Sequence, residues 1–240
     1  MAELRLVEHY TSVQGEGPRT GVMTQFVRFA GCNMRCPGWP CDTQHAIQPS
    51  IYLRKKSPTQ EAGSYKRTPQ ELVGDVIQKA HETGARNICL TGGEPFMQPI
   101  EKMTEFIKAI AGTYTIEAFS NGSFTYTLPI LERVNFIMDW KLPGSGEADT
   151  ALSNRLDNAL RLKDTDAIKF VVTNYVDELD ALKTYRMLKE ADCKAMFYIG
   201  AAWDRITVPE ILKFIEDHKL DWKVNVQVHK YIWDPDKQGV

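Results

Sequence analysis

An α/β fold, built as a partial parallel βα barrel of about six units, is what this sequence predicts. Three observations carry that expectation. Short apolar runs of strand length alternate with longer stretches whose apolar residues recur at helical spacing. Each strand-then-helix unit has the length that joins parallel strands through a right-handed crossover. The stretches rich in Cys, Gly, Asp and Asn fall where the strands end, the rim at which such folds gather their chemistry.

Residues 4–9 alternate loosely and read as a short strand, which the glycines and proline of Thr11-Ser12-Val13-Gln14-Gly15-Glu16-Gly17-Pro18 break. In that loop Gln14 and Glu16 are equipped to hydrogen-bond a flat heterocycle, although such a loop is more often a plain turn. Residues 23–30, rich in Phe and Val, form the next strand. Arg28 interrupts it, either solvated at an edge or turned inward to grip a carboxylate. From 44 to 67 periodicity fades and basic residues accumulate, so this stretch is expected to be an insertion, serving as a lid or equally as plain solvated surface.

Thr68-Pro69-Gln70-Glu71 is a helix start with a capping box, and Leu72, Val73, Val76, Ile77 and Ala80 follow at helical spacing until Gly84 stops them. Residues 87–91 are a buried strand that delivers Gly92-Gly93-Glu94-Pro95, and 100–110 carry another amphipathic helix. Strands are expected at 114–120, 136–140, 167–172 and 195–199, with helices at 151–162 and 176–191. A helix over 208–219 opens with the box Thr207-x-x-Glu210, and a last strand over 224–228 brings Gln227 and His229 to the rim. Ser120-Asn121-Gly122, Asp139-Trp140-Lys141 and Tyr198-Ile199-Gly200 are the other strand-end motifs.

Three of the chain's five cysteines, Cys32, Cys36 and Cys41, crowd into the segment after the second strand. Three thiolates on one irregular loop can hold three corners of an iron–sulfur cubane and leave the fourth iron open to a small molecule. A zinc site wants four closed ligands, which His45 alone would have to complete. Disulfides suit an odd cluster poorly in a chain without a secretory signal. Cys89 and Cys193 sit among apolar residues and read as small core side chains.

The loop Cys32-x3-Cys36-x4-Cys41, ending in Cys41-Asp42-Thr43, resembles the radical S-adenosylmethionine (SAM) enzymes, whose usual second gap is two residues rather than four. Gly92-Gly93-Glu94-Pro95, placed to meet the amine of a methionine moiety, strengthens the resemblance. Adding Val13-Gln14-Gly15-Glu16-Gly17, Phe26-Val27-Arg28-Phe29-Ala30-Gly31-Cys32-Asn33, Asp139-Trp140-Lys141-Leu142-Pro143-Gly144-Ser145-Gly146 and Gln227-Val228-His229-Lys230, nearly the full chain looks like the 7-carboxy-7-deazaguanine synthase family. The resemblance implies a partial barrel of radical SAM type. It implies conversion of 6-carboxy-5,6,7,8-tetrahydropterin to 7-carboxy-7-deazaguanine with loss of ammonia, on the way to queuosine and other deazapurines. Cys32, Cys36 and Cys41 would then hold a [4Fe–4S] cluster and Thr43 would ligate Mg²⁺. Pro40, Cys41, Asp42, Gly93, Glu94, Ser120, Asp139, Trp140 and Lys141 would surround SAM. Val13, Gln14, Gly15, Glu16, Arg28, Thr91, Gln227 and His229 would contact the carboxypterin. The resemblance also implies a homodimer and an electron donor such as flavodoxin or ferredoxin.

At 240 residues with 43% hydrophobic content the chain can bury one core, so a single domain over 1–240 is expected. A net charge of -2 with mixed signs gives no footprint for nucleic acid or an anionic membrane. No run is long enough to span a bilayer, and a cytoplasmic protein is expected. Two other functions compete: a radical SAM activase that makes a glycyl radical on a partner protein, and a zinc-stabilised binding module without catalysis.

Overall fold

In a computed structural model of the chain, residues 3–38, 41–47 and 64–234 are described. The strands are β1 (Leu4–Val13), β2 (Met23–Phe29), β3 (Tyr65–Arg67), β4 (Asn87–Gly92), β5 (Thr115–Ser120), β6 (Asn135–Trp140), β7 (Ala167–Val172), β8 (Met196–Ala201) and β9 (Lys223–Val224). They form one sheet in the order β3-β1-β2-β4-β5-β6-β7-β8-β9. β1 runs antiparallel to β2 and β3, and every pairing from β2 onward is parallel. The two ends of the sheet do not pair, so the barrel is partial, as the strand count predicts. β1 extends beyond the expected 4–9 because Val13 still pairs with Met23.

The helices are α1 (Gln44–Ile47), α2 (Pro69–Thr83), α3 (Ile100–Ile110), α4 (Leu128–Leu131), α5 (Leu152–Ala159), α6 (Tyr175–Glu190), α7 (Val208–His218) and α8 (His229–Ile232). Both expected capping boxes form. The Thr68 hydroxyl accepts from Glu71 N while Glu71 accepts from Thr68 N at 2.8 Å, and Thr207 and Glu210 repeat the exchange. Each such cap is worth about 1 kcal/mol. α2 ends where Gly84 turns left-handed at φ 74, a conformation glycine adopts without strain. Its Leu72, Val76 and Ala80, with Met103, Phe106, Ile107 and Ile110 of α3, are buried in the core.

The sheet's far edge departs from expectation. Val224-Asn225-Val226-Gln227-Val228 alternates like a strand, yet only Lys223–Val224 pairs with β8. Asn225 N still reaches Ile199 O at 2.7 Å, but the chain then leaves the sheet and Val228 N donates to Gly15 O at 3.0 Å. The Asn225 side chain completes the turn away by accepting from Gly17 N at 2.9 Å. Gln227 therefore lies in a loop and His229 opens α8, rather than both standing on a strand.

The expected insertion at 44–67 begins with α1 and ends with β3, whose Tyr65 and Arg67 pair with Leu6 and Leu4. Most of it, 48–63, lies outside the described residues. Among those described, no helix is long and apolar enough to cross a membrane.

Candidate active site

A cavity of about 680 Å³ lies at the C-terminal ends of the parallel strands, with Cys32, Cys36 and Cys41 all on its wall. Its size is in the ordinary range for small-molecule sites. Val13, Gln14, Gly15, Glu16, Arg28 and Thr91 line it, as do Asp42, Thr43, Gly93 and Ser120, and Asp139, Lys141, Gln227 and His229. Pro40 lies outside the described residues.

Backbone contacts shape the cysteine loop. Gly31, at φ 97, donates its N–H to Ala46 O at 2.7 Å, which ties the loop to α1. On the other side Gly93 N reaches Phe29 O at 3.0 Å and Glu94 N reaches Gly31 O at 2.8 Å. A Cβ on Gly93 would run into the Gly31 carbonyl, and one on Gly92, at φ 121, into Phe29. Gly93 thus admits the cysteine loop, and Gly92 the end of β2, at close range, where the sequence suggested close approach of a ligand.

The three thiols sit in different settings. The Cys32 sulfur accepts from Met34 N at 3.4 Å and from Asn121 Nδ2 at 3.8 Å. Cys41 Sγ lies 3.4 Å from Thr43 Oγ1, whose hydroxyl donates to Gly92 O at 2.9 Å. Burial pushes the Cys36 thiol up to about 11 and raises Cys32 as well. Both are therefore protonated until a metal displaces the proton. The thiols open on one cavity, yet among the described residues no three His, Cys, Asp or Glu side chains are grouped to hold a single metal ion. Three thiols without a fourth protein ligand suit an iron–sulfur cubane, which keeps one iron open, more than a closed zinc site, which takes four.

Opposite charges alternate along the wall. Lys141 Nζ is 2.5 Å from Asp139, and Lys169 Nζ on β7 is 2.9 Å from Glu16. Burial disfavours the charge on Asp139, but Lys141 and Lys169 outweigh it and hold the carboxyl below its usual value. Glu16 is lowered likewise, burial being offset by Lys169. Among the described residues Asp139 Oδ1 is buried and has no hydrogen-bond partner, which leaves an acceptor for a donor group of a ligand. Arg28 donates Nε to Glu8 at 2.5 Å and an amino group to Tyr10 at 2.9 Å, so part of its donor set remains for a ligand. Gln14 is buried, its amide held between Glu117 and Glu16 N. Burial lowers the pKa of His229, which keeps its ring neutral at pH 7, and a Cβ on Gly15 would collide with that ring.

Two expected ligand contacts lie elsewhere. Glu94 is fully buried and does not line the cavity: its carboxylate turns beneath the rim to accept from Asn121 N at 2.7 Å, Ser120 Oγ at 3.0 Å and Phe96 N at 3.1 Å. Burial pushes its pKa up to about 7. Trp140 faces the core, with the Arg155 guanidinium 5.2 Å over its ring. Strand alternation is the reason: Asp139 and Lys141 point into the cavity, so the residue between them points away.

The profile of the family described as "4Fe-4S single cluster domain" matches residues 13–154. A 7-carboxy-7-deazaguanine synthase of Clostridium acetobutylicum is 31% identical over 246 residues, covering 98% of this chain and 99% of its own. The chain belongs to the 7-carboxy-7-deazaguanine synthase family. The family member of Methanospirillum hungatei is 30% identical over 97% of this chain and 86% of its own. Among solved structures, QueE from Escherichia coli superposes with a TM-score of 0.69 over 95% of both chains at 19% identity, a likeness of fold.

Beyond the residues to which the sequence assigns a role, the structure adds Lys169, Asn121 and Lys230. Lys169 lies outside the motifs quoted for the family, and Lys230 closes the Gln227-Val228-His229-Lys230 motif without a role of its own. Lys230 Nζ is 3.0 Å from Asp42 Oδ1 and 4.7 Å from the centre of the Trp203 ring, and Gln227 Nε2 donates to Asp42 Oδ2 at 3.1 Å. The Lys230 side chain is 4% exposed and Asp42 56%. Asp42→Ala is therefore expected to cost about 1–3 kcal/mol by stranding a buried ammonium. Lys230→Met, which leaves a solvated carboxylate, should cost below about 1 kcal/mol. Urea denaturation of the two variants checks the order, and the reverse order would show that Lys230 does not depend on Asp42.

Proposed function

We infer that the chain converts 6-carboxy-5,6,7,8-tetrahydropterin to 7-carboxy-7-deazaguanine with loss of ammonia, as a radical SAM enzyme folded as one domain. The observation that carries this reading is the opening of Cys32, Cys36 and Cys41 onto the same cavity as Gln14, Arg28 and Thr43, in a chain of this family. Cys32, Cys36 and Cys41 would hold a [4Fe–4S] cluster, which together with SAM would supply one-electron radical chemistry able to take hydrogen from a substrate.

The chain's residues do the rest by position and charge. Arg28 keeps donors for the substrate carboxylate beyond those that Glu8 and Tyr10 engage. Thr43 donates its proton to Gly92 O and keeps oxygen lone pairs for Mg²⁺, a hard cation that takes oxygen ligands. Asp139 Oδ1 offers an unmatched acceptor on the SAM side, and the Glu16–Lys169 pair presents a polar face to the heterocycle. Arg28 and Lys169 are buried, and Glu16, Thr43 and Asp139 are half-buried, a setting that limits water at the site. Gathering of Gln14, Arg28 and Thr43 around one cavity favours a small substrate over a glycyl-radical partner protein. A reducing cytoplasm, a flavodoxin or ferredoxin as electron donor, and a homodimer complete the proposal.

Anaerobic incubation of the reconstituted protein with SAM, reductant and the carboxypterin tests it: 7-carboxy-7-deazaguanine is the expected product, and its absence from a protein that cleaves SAM would overturn the assignment. Arg28→Ala is expected to raise KM for the carboxypterin roughly 10-fold or more, as loss of a charge-assisted hydrogen bond does, with a smaller change in kcat. Steady-state kinetics with an unchanged KM would remove Arg28 from the carboxylate site.

A further inference from the structure

The polar residues behind Cys32 form a closed lattice with a fixed sense. Ser123 N is a backbone donor and lies 2.9 Å from the Asn121 side-chain oxygen. A backbone N–H can only donate, so this contact fixes which end of the Asn121 amide is oxygen. Ser123 Oγ donates to the same oxygen at 2.5 Å. The NH₂ end must then face the cysteine loop, where it donates to Asn33 Oδ1 at 3.1 Å and lies 3.8 Å from Cys32 Sγ. From below, Glu94 accepts from Asn121 N at 2.7 Å and anchors the backbone of the same residue. Asn121 is 7% exposed, so water does not compete strongly for these bonds.

The lattice makes the three cysteines unequal. Cys32 alone among them has both a backbone and a side-chain N–H directed at its sulfur among the described residues. N–H donors lower the electron density on a thiolate and favour the more negative, reduced state of an attached cluster, which raises its potential. We propose that Asn121 is a positioning residue for electron entry: its amide, locked by Ser123, donates to the Cys32 sulfur and sets the reduction potential of the cluster that the cysteines hold.

The proposal rests on Cys32, Cys36 and Cys41 as the cluster ligands, and its test separates the two. An electron paramagnetic resonance redox titration of the reconstituted protein, with iron and sulfide counted, gives the midpoint potential of the parent, Asn121→Asp and Asn121→Ala. Asn121→Asp keeps the oxygen that Ser123 N needs and replaces the donor by a negative oxygen, so it is the variant designed to fold. Both variants are expected to keep full iron and to shift the midpoint to more negative potential, Asn121→Asp the further. An unchanged midpoint in a variant with full iron overturns the role, and loss of the cluster from both variants marks Asn121 as structural and overturns it too. A parent protein that yields no [4Fe–4S] signal would instead remove the ligand reading beneath it.

Discussion

Cys36→Ser is expected to abolish turnover and to strip most of the iron, while Cys193→Ser leaves both near the parent level. The contrast follows from the surroundings of the two thiols. Cys36 opens on the cavity, sits at φ 44 and has a proton held by burial until iron takes its place. Serine keeps the shape of that side chain but has a far less acidic hydroxyl and a hard oxygen, a poor ligand for an iron–sulfur cluster. The loss should exceed the roughly 10–100-fold that removal of an outer partner of a metal ligand causes. Cys193 is buried away from the cavity and its Sγ lies 3.2 Å from Ala159 O, a bond that a serine hydroxyl can remake. Iron and sulfide counts with the visible absorbance of the two variants check this, and full iron in Cys36→Ser would show that the loop holds its cluster otherwise.

Gly93→Ala should carry the second-largest effect, on the fold and the cluster together. The added methyl would press on the Gly31 carbonyl and come within 3.0 Å of Cys32 N. Overpacking of that kind costs about 1–3 kcal/mol, at roughly 2–4 °C of Tm for each kcal/mol in a chain of this size. Backbone takes the strain, so the displaced group is the residue next to, or the residue itself of, a thiol ligand. Lower Tm and weaker retention of iron are the expected results. Gly74→Ala is the control: it lies in α2 with nothing within 4 Å of its Cβ position, and the change should stabilise by about 0.5–1 kcal/mol. Calorimetry of both variants decides, and a Gly93→Ala protein as stable as the parent would remove close packing as the reason for that glycine.

How far the sequence could be read depended on how local each signal was. Thr68 with Glu71, Thr207 with Glu210 and the left-handed Gly84 involve partners within a turn of one another, and all three formed as expected. The three cysteines and the glycine pair were legible as chemistry because few other uses bring those residue types together. Lys169 was not, since its partner Glu16 is supplied by a loop far earlier in the chain. Lys230 was missed for the same reason, its carboxylate being Asp42 beside the third cysteine.

By itself the sequence determined the alternating units, the helix starts, the cysteine loop and the family to which the chain belongs, because periodicity, caps and motif spacing are written within short windows. The tertiary structure alone decided that Glu94 turns under the rim, that Trp140 joins the core, that the last strand ends at Val224 and that the Asn121 amide points toward Cys32. Those outcomes depend on which distant groups complete a buried hydrogen bond, and a one-residue step along a strand reverses the face on which a side chain falls.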